Sequence, residues 1–391
     1  MVETNFTPAN AAPQHSFVKG LEGVVAAQTA LSLVDGQESK LYYRGIPVHE
    51  LTENSHFEEV VFLLWNGRLP LADELQEFQK TLARCRPVEK EVLAFLKVIP
   101  KKAHPMGVLR TMVSVLGLFD PDGDKLDPEN MRRQAFRLTA AIPAIIAAFY
   151  RTREGKDPIP PDPKLPHAAN FLYMMHGKPP EKEMQKALDA YLILLADHGL
   201  NASTFAARVT TSTQSDIYSA VTSAVGTLKG DLHGSANQRA MEMILEIGTP
   251  EKAGGYVRGL LAQKKKVMGF GHRIYKKEDP RATAFREIAA KLCERAGNFK
   301  WMEISKRVEK VMWEEKQIPC NVDFFSASVL YILGFPVDFF TTVFAASRVA
   351  GWTAHVMEQQ ADNRLIRPAA DYTGPRDQHY LPIDKRTGNT S

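Results

Sequence analysis

Cysteine is scarce in this sequence: Cys85, Cys293 and Cys320 are the only three in 391 residues, with no CxxC pair and no framework spacing. That excludes a disulfide scaffold and fits a reducing compartment. The eleven histidines include no HExxH and no pair three or four residues apart, so a metal site has no support from spacing. GxSxG, GxGxxG and GxxxxGK[ST] are all missing, and without the last two a doubly wound nucleotide-binding sheet is not expected. No charge sign dominates: 49 Lys plus Arg against 45 Asp plus Glu leave a formal charge of +4. A pI of 8.7 falls below the ~9 typical of dedicated nucleic-acid binders. Long apolar runs are absent too. The longest near-apolar stretch, residues 138–150, is broken by Thr139 and Pro143 and is shorter than the ~20 residues a membrane span needs. The first twenty residues lack a basic start followed by an apolar run and are not Arg-rich, so neither a secretory signal nor a transit peptide is expected. A cytoplasmic protein with no membrane or nucleic-acid partner is the expectation.

What is present is ordinary globular composition, 44% apolar and 24% charged, in a chain long enough to bury about three quarters of its surface. Length points to two or three domains. LSLVDGQESKLYY holds two short β-prone runs around Asp35-Gly36, a small hairpin. Beyond it the period is helical. Leu71, Leu75, Phe78 and Leu82 step by 4, 3 and 4, and Met184, Leu188, Tyr191 and Leu195 do the same, which sets each group on one helix face. Thr249-Pro250-Glu251 and Asp279-Pro280 place a capping residue before a proline at the first helical position, and Gly230 and Gly297 follow periodic runs as stops. Pro/Gly/Asp-rich spacers at 120–127 and 157–166 lie between helical stretches as surface loops or domain joints. The fold should be mainly α, with no repeat of fixed period.

Four segments set polar residues among apolar or glycine neighbours: DHGLNAST at 197–204, DLHGSANQ at 231–238, GFGHRIYKKEDPR at 269–281 and CNVDFFSAS at 320–328. His233 precedes Gly234 and a helix-like run from Ala236, so its ring should lie near a helix N-terminus, where the dipole disfavours imidazolium. A neutral imidazole there can donate to a carbonyl that becomes enolate-like, as the histidine of triosephosphate isomerase does; a capping or packed histidine is the plain alternative. His272 sits beside Gly269 and Gly271, which permit unusual dihedrals. Between Arg258 and Arg281 eight Lys or Arg face Glu278 and Asp279, a local net of +6 suited to a polyphosphate or simply to a solvated helix end. Asp323 stands beside Val322 and Phe324, where burial would raise its pKa and make it a better base, unless it only caps the helix that follows. Arg348 lies in VFAASRVAGW and needs an anionic partner, a structural carboxylate or a substrate.

Together these segments resemble the citrate synthase family from about Gly20 to the NRLIRP region. GFGHRIYKKEDPR fits the signature around the second catalytic histidine, HGSANQ the segment of the first, and NVDFFSAS the catalytic aspartate segment. HPMGVLR at 104–110 is also family-like. The resemblance implies an all-α homodimer with a large domain, residues 1–230 and 331–391, and a smaller one, 231–330, that closes over the substrate, plus the minor N-terminal hairpin. It assigns Asp323 as the base that removes a methyl proton from acetyl-CoA, His233 as the stabiliser of the enol, and His272 as the donor to the oxaloacetate ketone. His198, Arg281 and Arg348 match oxaloacetate-binding positions, and Arg367 matches an arginine that reaches into the neighbouring site of the dimer. Val267, Met268, Gly269, Phe270, Gly271 and Lys276 are the expected CoA contacts. No metal and no resident cofactor is implied, the CoA thioester being a substrate.

Two features depart from the family pattern. Gly199 follows His198 where many relatives carry an acidic or larger residue, and the N-terminus is short for the additional domain that accompanies NADH regulation in some bacterial members, so no such control is expected. The competing expectations are a 2-methylcitrate synthase using propionyl-CoA, since one methylene discriminates by only ~1–3 kcal/mol, and a non-catalytic all-α interaction scaffold.

Overall fold

A computed structural model describes residues 17–386. Among them are sixteen α-helices and one three-stranded antiparallel sheet. The hairpin forms as its sequence indicates: Ser32–Asp35 pairs with Lys40–Tyr43, Ser32 opposite Tyr43 and Asp35 opposite Lys40. A third strand, Ile46–Pro47, adds to its edge; it has no signature in the sequence, because two residues are too few to carry a period. Residues 29–366 form one unit, and residues 17–28 with 367–386 form another.

The stretch 138–150 lies inside a 26-residue helix, Pro128–Arg153, whose start is set by the Asp127 side chain accepting from the Asn130 N–H at 3.0 Å. Its Ala, Ile and Phe side chains are buried on all sides, and a helix apolar all round belongs in a core. Pro143 is tolerated in mid-helix because the surrounding packing compensates for the hydrogen bond it removes. Against this helix packs the second core element, Phe340–Ala361, which also contacts Lys182–Leu195, Ala202–Ser212 and Ile217–Leu228. No described helix is long and apolar enough to cross a membrane.

A second set of helices packs on itself: Val322–Ile332 contacts Pro280–Ala296 and Ala236–Ile247, while Pro250–Ala262 contacts Lys300–Lys316. The cap signals operate in part. Asp279 accepts from the Arg281 N–H at 3.1 Å and Gly297 closes its helix at φ 61°, whereas Thr249 occupies the cap position without its side chain accepting from a helix N–H. Leu188, Tyr191 and Leu195 are buried on one face of Lys182–Leu195. In the other periodic run Phe78 and Leu82 are buried, but Leu71 precedes helix Ala72–Arg84 as its exposed cap. The spacers at 120–127 and 157–166 are loops between helices.

Candidate active site

Helix Lys182–Leu195 stops just before Asp197, and Asn201 starts the next helix, Ala202–Ser212, by accepting from the Thr204 N–H at 3.1 Å. The turn between them runs through the core, and both Asp197 and His198 are buried. The hairpin braces it: Tyr43 donates its hydroxyl to the Asp197 carbonyl at 3.0 Å, and Ser32 Oγ accepts from the Gly199 N–H at 2.9 Å while donating to the Asp197 carboxylate. His198 Nε2 meets the Tyr275 hydroxyl at 3.1 Å, and its ring stands edge-on to His272, centroids 5.4 Å apart.

His233 lies in the turn before Ala236–Ile247, yet the helix end its ring nitrogen meets belongs to another helix. The Ser203 N–H, in the first turn of Ala202–Ser212, donates to His233 Nε2 at 3.3 Å, and Ser203 Oγ lies 2.8 Å from the same nitrogen. An amide only donates, so Nε2 is the acceptor and the proton sits on Nδ1. Ser203 Oγ is itself held by the Trp352 Nε1–H at 3.1 Å and stands 2.8 Å from Asn201 Oδ1. Burial, reinforced by the charge of Arg348, lowers the His233 pKa to about 4.

His272 has the opposite tautomer. Its Nδ1 accepts from the Ile274 and Tyr275 N–H groups, both at 3.1 Å, so Nε2 carries the proton. Burial and then Arg281 bring its pKa to about 4, against a weaker pull from Asp279. Two neutral imidazoles thus keep one N–H each for a ligand. His198 is neutral as well: burial first, then the charges of Arg281 and Arg348, push its pKa well below the usual range.

Arg281 is buried and paired with Asp279, Nε at 3.0 Å and Nη2 at 2.8 Å. Burial opposes its charge, but the Asp279 carboxylate outweighs it and the pKa is raised. Asp279 also accepts from the Val322 N–H at 3.1 Å, joining the start of Pro280–Ala296 to the start of Val322–Ile332. Arg348 is also buried, and its one hydrogen bond among the described residues runs from Nε to the Leu195 carbonyl at 2.7 Å. No carboxylate pairs with it there. Burial lowers its pKa to about 10, with Asp197 and Tyr43 opposing. Its guanidinium also stacks on Phe344, 4.8 Å from the ring centre.

Asp323 lies in the first turn of Val322–Ile332, but the cap is Asn321, whose side chain accepts from the Asp323 N–H at 3.0 Å. The Asp323 carboxyl has no hydrogen-bond partner among the described residues. Burial raises its pKa to about 7, despite the pull of Arg281 and Arg348. The loop ahead of His272 is zipped to this helix start: the Asn321 N–H donates to the Gly269 carbonyl at 2.9 Å, and the Asn321 side chain to the Gly271 carbonyl at 2.8 Å. Gly269 takes φ 82°, and a Cβ there would stand 2.7 Å from Phe324 Cβ; only glycine lets the loop lie so close. Val267 is buried, Met268 and Phe270 half-buried and Lys276 exposed. Arg367 is exposed and belongs to the other unit. Glu278, Glu309 and Cys320 bring possible ligand atoms within 4.8 Å of one another, but the Arg286 guanidinium already binds both carboxylates.

One region therefore gathers His198, His233, His272, Arg281, Arg348 and Asp323. The parts played by Ser203 and Tyr275 escape a reading of the sequence, although both lie inside its polar segments, and Asp279 reads there only as a cap. Three neutral histidines, two buried arginines and a carboxyl without a hydrogen-bond partner among the described residues thus share one region of a mainly helical scaffold, groups of the kind that acid–base chemistry on an anion uses. The profile described as "Citrate synthase, C-terminal domain" matches residues 20–369. Citrate synthase 2 of Bacillus subtilis is 47% identical over 94% of this chain and 99% of its own. The 2-methylcitrate synthase 2 of Corynebacterium glutamicum is 43% identical over 94% and 97%. A solved citrate synthase of Thermoplasma acidophilum, in a ternary complex with carboxymethyl coenzyme A and oxaloacetate, superposes with a TM-score of 0.90 at 33% identity, covering 95% of this chain and all of that one. The chain belongs to the citrate synthase family and is an acyltransferase of that type.

Proposed function

We propose that the protein condenses acetyl-CoA with oxaloacetate and hydrolyses the citryl-CoA formed, giving citrate and free CoA. The observation that carries this is the half-buried Asp323 carboxyl, without a hydrogen-bond partner among the described residues, in the region where His233 offers Nδ1–H and His272 offers Nε2–H. A thioester methyl is a very weak acid, so a carboxylate removes its proton only while a preorganised donor stabilises the developing oxyanion. Asp323 takes that proton as His233 Nδ1–H bonds the thioester oxygen. The enolate carbon then attacks the oxaloacetate ketone, His272 gives its Nε2 proton to the alkoxide, and the proton taken up by Asp323 replaces it through water. Water finally displaces CoA as the thiol. Arg281, Arg348 and His198 hold the dicarboxylate; the guanidinium fork suits a carboxylate, and no carboxylate among the described residues pairs with Arg348.

Residues 267–271 with Lys276 contact CoA, which gives the local +6 charge a use, and no resident cofactor takes part. Residues 231–330 form the smaller closing domain, a division supported by the way helices from 236 to 332 pack largely on one another. Two copies associate, Arg367 reaching the neighbouring site, in the cytoplasm.

The second reading, 2-methylcitrate synthesis from propionyl-CoA, is favoured by relatives of that name at 43% and 44% identity, level with many named citrate synthases. Thiol release from each acyl-CoA with oxaloacetate, compared as kcat/KM, separates the two. Preference for acetyl-CoA is expected; a clear preference for propionyl-CoA replaces the first reading with the second, and no release with either leaves a non-catalytic scaffold.

A further inference from the structure

Tyr275 reaches both the ligand-binding and the catalytic histidine. Its backbone N–H donates to His272 Nδ1 at 3.1 Å, and its hydroxyl lies 3.1 Å from His198 Nε2. The ring is buried, with its centre 4.6 Å from that of His272 and 5.6 Å from that of His198. The next residue is pinned to the hairpin, the Lys276 N–H donating to the Gly36 carbonyl at 3.2 Å. The loop therefore holds the phenol from both sides.

We infer that Tyr275 is a positioning residue for oxaloacetate, its hydroxyl holding His198 Nε2 so that Nδ1–H of that imidazole faces the substrate. The inference rests on the condensation reading above. A neutral imidazole carries one proton and two nitrogens. His198 helps to bind an anion only by donating, and Nδ1 has no hydrogen-bond partner among the described residues. With Nε2 engaged, the phenol is the donor in the His198–Tyr275 bond and the imidazole proton is confined to Nδ1. Burial supports this by raising the pKa of the phenol, which keeps its proton. Tyr275 thereby fixes the proton location on two histidines at once, on His272 through the backbone and on His198 through the side chain.

Tyr275→Phe tests the inference, because it keeps the backbone bond and the ring packing and deletes only the hydroxyl. Expected are a rise of about tenfold in KM for oxaloacetate and in its Kd by calorimetry, the size of one lost hydrogen bond. The kcat should stay within about threefold, the KM for the acyl-CoA within about twofold and the melting temperature within about 2 °C, as expected when the change is confined to ground-state binding of one substrate. An unchanged Kd and KM for oxaloacetate overturns it, as does a common shift of kcat and both KM values, which would mark general damage. If wild-type enzyme releases no thiol at all while the Kd effect persists, the condensation reading fails and the Tyr275–His198 link stands as part of an anion-binding site.

Discussion

Asp197 and His355 form a pair sealed from solvent, His355 Nε2 lying 3.3 Å from Asp197 Oδ1 and 3.4 Å from Oδ2. The Arg208 Nη1–H donates to His355 Nδ1 at 3.1 Å, so the imidazole proton sits on Nε2 and points at the carboxylate. The same carboxylate accepts from Ser32 and from the Gly199 N–H. Gly351 makes the approach possible, since a Cβ there would stand 2.5 Å from Asp197 Oδ1. Thus a polar turn ending in His198 is held inside an apolar core. Asp197 is also the strongest attractive charge acting on Arg348.

Asp197→Ala should destabilise the fold by about 3 kcal/mol, because it strands the sealed His355 Nε2–H without an acceptor and takes the carboxylate away from the half-buried Ser32 hydroxyl. Urea denaturation measures this. A loss below about 0.5 kcal/mol would mean that the buried pair does not support the turn.

Asp323→Ala should lower kcat by at least ~10³, about 4 kcal/mol at tenfold per 1.36 kcal/mol, with the fold intact. Near-normal turnover removes Asp323 from the mechanism. The sign of its effect on stability is also fixed. The carboxyl keeps its proton to about pH 7 when folded, against an ordinary 3.8. Between those values the unfolded chain binds fewer protons, so stability falls as pH rises and the penalty is complete above pH 7. Asp323→Asn should therefore melt no lower than wild type at pH 8, while the acid limb of wild-type kcat/KM should fall near pH 7. A limb near pH 4 would instead match the histidines.

Ser203→Ala leaves the backbone N–H on His233 in place but removes the hydroxyl that meets that imidazole, Trp352 and Asn201. A fall of about tenfold in kcat is expected, with KM for oxaloacetate little changed, since the hydroxyl acts through the enol-stabilising histidine. Unchanged kcat would show that the helix-end N–H alone positions the ring.

Arg348→Ala should chiefly raise the KM for oxaloacetate, by about a hundredfold, as it deletes a desolvated charge-assisted contact worth a few kcal/mol. Steady-state kinetics at saturating acyl-CoA reads this. An unaltered KM would assign the arginine to the core alone, through the Leu195 carbonyl and Phe344.

Much of the scaffold is legible in the sequence because helix signals are local. The apolar period of 182–195, Asp279-Pro280 and the Asp35-Gly36 turn each depend on a few neighbouring residues. The edge strand Ile46–Pro47 is too short to read. At the site, the chemical groups stand out as polar residues in apolar segments. Their tautomers do not, because the proton on His233 is set by Ser203, thirty residues earlier in the chain, and that on His272 by the path its own loop takes afterwards.

The sequence by itself determined the helical scaffold, the absence of a metal-ligand pattern, and which carboxyl, imidazole and guanidinium groups were available, since all of these follow from residue type and short-range spacing. Only the tertiary structure decided which nitrogen of His233 and of His272 carries the proton, that Asn321 rather than Asp323 caps its helix, and that no carboxylate among the described residues pairs with Arg348. Those outcomes depend on desolvation and on hydrogen bonds between residues distant in sequence, and neither exists until the core has closed around them.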